Sequence, residues 1–149
     1  MSDSAVGNKG TAVAAWEALF RAQVSVLRQL NSEFPTDLLS FNEYDVLFNL
    51  SRCPSRRSRI RDLNKQLLLT QPSVSRLVDR LAAQGLVTKE PDAGDGRGTV
   101  VALTDAGFEL FRRVAVVHAE SIDRIMSGAL TGDQLAELTR LADTLRTRH

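Results

Sequence analysis

The chain has 149 residues, enough to bury a sizeable core without a disulfide or metal to hold it. Its residues are 43% hydrophobic, 25% charged and only 5% aromatic, and Leu, Ala and Val supply most of the apolar content, which favours helices over a large sheet. A single cysteine, Cys53, excludes an internal disulfide framework and suits a reducing cytoplasm. No run approaches the roughly 18–20 apolar residues that would cross a bilayer, so no membrane partner is expected.

Residues 1–11 are small and polar and read as a flexible tail, without the apolar core of a secretory signal. From Ala12 to about residue 33, Trp16, Leu19, Phe20, Val24, Leu27 and Leu30 recur at steps of three and four and predict a helix, stopped by Pro35. Ser40 and Glu43 then form a capping-box pair, opening a helix with Tyr44, Leu47, Phe48 and Leu50 that ends before Pro54. Pro54 to Arg59 is a basic turn leading into a short extended piece near Ser58–Ile60. A short helix follows over 62–69, with Leu63, Leu67 and Leu68 inward. After Thr70-Gln71-Pro72 another helix runs from about Ser73 to Gln84, with Gly85 as its C-terminal stop.

The period then changes from helical to alternating. Leu86–Glu90 and Thr99–Leu103 predict two strands joined by a seven-residue, glycine-rich loop, Asp92 to Gly98. Thr104 caps a long helix carrying Phe108, Phe111, Val114, Val117, Ile122 and Ile125, with a stop at Gly128. Thr131 and Gln134 make a second capping box, and the last helix has Leu135, Leu138, Leu141 and Leu145 on one face. This order predicts a mainly α protein with a small β-hairpin: a winged helix-turn-helix. It predicts one domain over 12–149, with a DNA-binding lobe at about 40–103 and dimerisation helices at about 12–33 and 104–147.

The net charge of +1 hides a division. From Arg52 to Arg97 ten basic residues face five acids, a segment of +5 that leaves −4 for the rest. A basic centre between acidic flanks is either a solvated face or an electrostatic footprint for a polyanion. The predicted helix after Pro72, taken together with the hairpin loop beyond it, favours the second reading. Val74, Leu77, Val78 and Leu81 form its inward stripe. Gln71, Ser73, Ser75, Arg76, Asp79 and Arg80 lie outside that stripe or at its start. A recognition helix aims its N-terminal residues at base edges, where Gln suits adenine, Arg suits guanine and Ser suits several bases. The candidate DNA contacts are Gln71, Ser73, Ser75, Arg76 and Arg80, with Arg61 from the preceding helix. Arg97 on the hairpin loop is a probe for a narrow minor groove, with Asp95 two residues earlier to orient its guanidinium.

Gln71-Pro72-Ser73-Val74-Ser75-Arg76-Leu77-Val78-Asp79-Arg80-Leu81, then Gly85-Leu86-Val87, Asp92 to Arg97 and Val101-Ala102-Leu103-Thr104, resembles the MarR family of bacterial regulators over nearly the whole chain. Many members carry Asp-Pro-x-Asp-Arg-Arg in the wing, where this chain has Asp92-Ala93-Gly94-Asp95-Gly96-Arg97. The resemblance implies a transcriptional repressor that is a homodimer held by its first and last two helices, bound to a pseudo-palindromic double-stranded DNA operator. It also implies a small aromatic, for instance phenolic, effector between the dimerisation helices and the DNA-binding lobe. Trp16, Phe20, Tyr44, Phe48 and His118 are the candidate pocket residues, with plain core packing as their other reading.

Peroxide-sensing relatives carry a reactive cysteine in the first helix. This chain has none there, and Cys53 reads as structural, with a redox sensor beside Arg52, Arg56 and Arg57 as its other reading. No cofactor is expected. His118 and His149 have no Cys, His or carboxylate at metal-ligand spacing, and neither a phosphate-binding glycine loop nor a nucleophile elbow is present, so no catalytic role is expected. A winged helix that docks proteins in place of DNA is the alternative left open by the sequence.

Overall fold

The computed structural model describes residues 3–67 and 71–148, and their side chains except at 3–8, 71 and 95. The elements are α1 (Asp3–Glu33), α2 (Phe41–Ser51), β1 (Arg57–Arg59), α3 (Ile60–Gln66), α4 (Gln71–Ala83), β2 (Val87–Asp92), β3 (Asp95–Leu103), α5 (Asp105–Ala129) and α6 (Gly132–Thr147). A single 3₁₀ turn, Pro54–Arg56, joins α2 to β1. The strands form one antiparallel sheet in the order β1-β3-β2. Among the described residues no helix is long and apolar enough to cross a membrane.

The chain divides into two compact units. One consists of α1 and the chain from Glu120 onward, and the other is Phe34–Ala119. The boundary falls inside α5. Its first half carries Phe108, Phe111, Val114 and His118 onto the core of the Phe34–Ala119 unit. The helix α1 starts at Asp3, and residues 3–11 of the segment expected as a flexible tail are its opening turns. Extending an existing helix adds one backbone bond per residue without a new nucleation step, so these turns need no apolar stripe of their own.

In the Phe34–Ala119 unit the periodic apolar positions close over one another. Leu47 and Leu50 of α2, Leu63 of α3, Val74, Val78 and Leu81 of α4, Val101 of β3 and Val114 of α5 are fully or almost fully buried. Leu67 is buried too, while Leu68 and Thr70 lie outside the described residues. The capping box at α2 forms in both directions: Glu43 N–H donates to Ser40 Oγ at 3.1 Å and Ser40 N–H donates to Glu43 Oε1 at 2.8 Å. Thr131 and Gln134 do the same for α6. Such a cap is worth about 1 kcal/mol.

The turn from α4 into the hairpin depends on Gly85. Its φ is +77°, and Leu86 N–H reaches back to Leu81 O at 3.0 Å while Gly85 N–H reaches Ala82 O at 3.0 Å. This pair of bonds ends a helix on a left-handed residue, a role that glycine fills without a Cβ penalty. The start of α5 is built onto the same turn. Thr104 Oγ1 donates to Gly85 O at 2.8 Å and accepts from Gly107 N–H at 3.0 Å, and Thr104 N–H donates to Leu86 O at 3.1 Å.

His118 is one of two buried polar residues among those described. Its ring meets those of Phe34, Phe41 and Tyr44 edge-on at 5.2, 5.7 and 5.1 Å between centroids. Burial lowers its pKa from the ordinary 6.5, because the charged imidazolium loses hydration there. The neutral form is therefore favoured in the fold. His118 costs the fold nothing above pH 6.5, and stability falls as pH drops from 6.5 towards the lowered folded value. Denaturation midpoints measured from pH 8 to pH 5 are expected to fall below pH 6.5, and His118→Phe is expected to flatten that slope.

Candidate nucleic-acid interface

Pro72 sits in the first turn of α4, where a missing N–H leaves no broken bond. The inward stripe of α4 is buried as its spacing predicts. Its other face carries exposed Arg76, Asp79 and Arg80, with Ser73 and Ser75 half-buried. Ser73, Arg76, Asp79 and Arg80 line one open groove of about 480 Å³, which Asn42 at the start of α2 completes. Arg76 Nη2 donates to Ser73 Oγ at 3.4 Å. Gln71 heads the helix, at its N-terminal end.

The wing differs from the expected seven-residue loop. The strands continue through it and leave a turn of only Ala93 and Gly94. Asp92 makes this possible. It is 9% exposed, and its Oδ1 accepts Gly94 N–H at 3.0 Å while Oδ2 lies 2.7 Å from Arg59 Nε. The register pairs Asp92 with Asp95 and Pro91 with Thr99, so Gly96, Arg97 and Gly98 fall in the irregularity between paired positions. Arg97 is thus offered from a bulged strand. A pocket of about 200 Å³ brings Arg97 and Arg61 together with Arg59 and Asp92. Arg61 and Arg97 were expected from sequence, whereas Arg59 and Asp92 were missed. The acid acting on the wing turn is Asp92, and Asp95 is placed by its backbone at the head of β3.

Much of the basic segment is committed to the fold. Arg57 pairs with Glu90 at 3.3 Å, Arg59 with Asp92, Lys65 with Asp62 at 3.6 Å and Lys89 with Asp79 at 2.5 Å. Arg56 lies over the Phe108 ring, 3.6 Å from its centroid, and Arg52 is 5.4 Å from that of Phe48. These pairs and stacks tie part of the expected +5 patch to neighbouring side chains. Asp92→Asn keeps the shape but removes the charge facing Arg59. We expect a loss of about 1 kcal/mol in chemical denaturation, since the arginine is half exposed. Unchanged stability would show that the turn holds without it.

The five candidate pocket residues belong to two different units. Trp16 and Phe20 are on α1, 5.8 Å apart between ring centroids and 59% and 52% exposed. Tyr44, Phe48 and His118 belong to the Phe34–Ala119 unit, where Phe111 stacks on Tyr44 at 5.3 Å. Cys53 is half-buried and its thiol donates to Asn49 O at 3.2 Å. Among the described residues no group of three potential ligands could hold a metal ion.

A pair of short helices, the second with a polar outward face, followed by an arginine-bearing hairpin, defines a winged helix-turn-helix protein. The MarR family model matches residues 39–98. The transcriptional regulator PecS of Dickeya dadantii is 34% identical over 111 residues, 73% of this chain, and the match spans 66% of that regulator. AbsC, a MarR family transcriptional regulator from Streptomyces coelicolor, superposes with a TM-score of 0.75 at 29% identity, covering 93% of this chain and 96% of that one. Sco3205 from the same organism, solved in complex with DNA, gives 0.72 at 29% identity over 88% and 85% of the two chains. The chain belongs to the MarR family of transcriptional regulators.

Proposed function

We propose that this protein is a cytoplasmic, dimeric repressor that reads an inverted-repeat operator with α4 and anchors on DNA with its wing. The observation that carries the reading is the outward face of α4, where Ser73, Arg76 and Arg80 share a groove beside a hairpin bearing Arg97. A helix of this kind enters the major groove by its N-terminal end, which places Gln71, Ser73, Ser75 and Arg76 nearest the bases. Arg61 and Arg97, which line one pocket, would contact DNA from the wing side, with Asp95 two residues before Arg97 in sequence. The likeness to a regulator solved with DNA supports this reading.

Dimerisation is supported by apolar surface left open at the chain ends. Leu138, Leu141 and Leu145 of α6 line a groove with Trp16 and Leu19 of α1, and Leu141 and Leu145 are more than half exposed. A two-fold pair would set two recognition helices about one DNA turn apart. The experiment is a fluorescence titration against the DNA upstream of the protein's own gene and against random duplex at moderate salt. Preference for the former supports the reading, and equal binding overturns it in favour of a protein-docking winged helix.

The effector class proposed is a small aromatic ligand, for instance a phenolic acid. It would act by binding DNA-competent and incompetent spacings of the two α4 helices unequally. Phenolic acids that raise the melting temperature and release the operator support this. Binding with no change in DNA affinity contradicts it.

A further inference from the structure

We propose that the ion pair between Asp79 and Lys89 is a positioning brace that sets the wing hairpin against the recognition helix, and through that spacing sharpens discrimination between operator and unrelated DNA. The DNA part of this proposal rests on the function proposed above.

Asp79 is out of place on a surface meant for phosphates. It lies on the outward face of α4, in the groove that holds Arg76 and Arg80, where a carboxylate repels a polyanion. Its side chain is turned to the wing, with Lys89 Nζ 2.5 Å from Asp79 Oδ1. Lys89 is the middle of β2, an edge strand in the order β1-β3-β2. Side chains alternate along a strand, so Lys89 shares a face with Val87, which is 2% exposed and packed in the core. The inner face of the hairpin thus has one apolar anchor at its base, and Lys89 is the next inward position towards the tip. On the opposite edge the Arg59–Asp92 pair ties the hairpin to β1. Between them, the two pairs hold the hairpin from both sides. The Gly85 turn fixes where the strand leaves α4, but the tilt of the ribbon beyond it is set by what grips β2, and on the α4 side that grip is Asp79.

The test compares Asp79→Asn, Lys89→Gln and the exchanged pair, Asp79→Lys with Lys89→Asp, in the full-length protein. Two quantities are read: hydrogen exchange of the β2 and β3 amides without DNA, and the ratio of operator to random-duplex affinity. Each single variant is expected to speed exchange around 89–99 and to lower the ratio about threefold to fivefold, as loss of a well-placed exposed pair allows. The exchanged pair is expected to restore both to within about twofold of wild type, which a simple loss of phosphate contact at Lys89 would not do. Wild-type exchange in both single variants, or an exchanged pair no better than either, overturns the brace. Faster exchange with an unchanged ratio overturns its part in specificity. A wild-type protein with no operator preference refutes the function proposed above, and the exchange measurement still decides the brace.

Discussion

Gly107→Ala is expected to destabilise the protein by about 3 kcal/mol, although it adds one methyl group. A Cβ at position 107 would stand 2.0 Å from Leu86 O and 2.9 Å from both Leu86 C and Leu103 Cδ1. Two of those three atoms are backbone, and Leu86 O is held in place by the N–H of Thr104. The first turn of α5 therefore cannot stay where it is, and the Thr104 bonds to Gly85 and Gly107 are strained with it. For a chain of this size the loss corresponds to a fall of roughly 6–12 °C in melting temperature. Gly128→Ala is the control: nothing lies within 4 Å of a Cβ there, and alanine in a helix is favoured by up to about 1 kcal/mol. A Gly107→Ala protein that melts with wild type would show that α5 does not pack on the Gly85 turn as described.

Arg76→Ala is expected to weaken operator binding by about 10- to 100-fold, the range of one good arginine–guanine contact at about 1–3 kcal/mol. Arg76 is exposed on α4 and its bond to Ser73 is long, so the fold should not suffer. The change should also relax preference at one base position of each half-site. If Arg76 touches only phosphate, affinity would fall evenly across sequences and the salt dependence would lose about one unit of slope. Equal operator binding by wild type and Arg76→Ala would remove α4 from the reading.

The elements were legible where the signal is local. Ser40 with Glu43, Thr131 with Gln134 and the Gly85 stop each act within a few residues, and the inward stripe of α4 follows from its period. The wing turn was misread because three glycines suggest a loop, while in the two-residue turn Asp92 accepts Gly94 N–H and is ion-paired with Arg59, far back in the chain on β1. The basic footprint was overcounted for a similar reason. Nothing in the spacing tells Arg56, stacked on Phe108, from Arg76, pointed at solvent. Asp79 and Lys89 were visible as charges, but the stretch between them conceals a turn that brings their side chains together. The helical start at Asp3 was hidden because those turns lack an apolar face of their own.

In the function proposed, α4 and the wing together read a two-fold DNA site. Selection of binding sequences from a random duplex library by the full-length protein tests it directly, because the library presumes no operator sequence. Enrichment of an inverted repeat with half-sites about 10–10.5 base pairs apart from centre to centre is expected, and loss of that enrichment with Arg76→Ala. Recovery of no shared sequence, or of the same inverted repeat with wild type and Arg76→Ala alike, would contradict it.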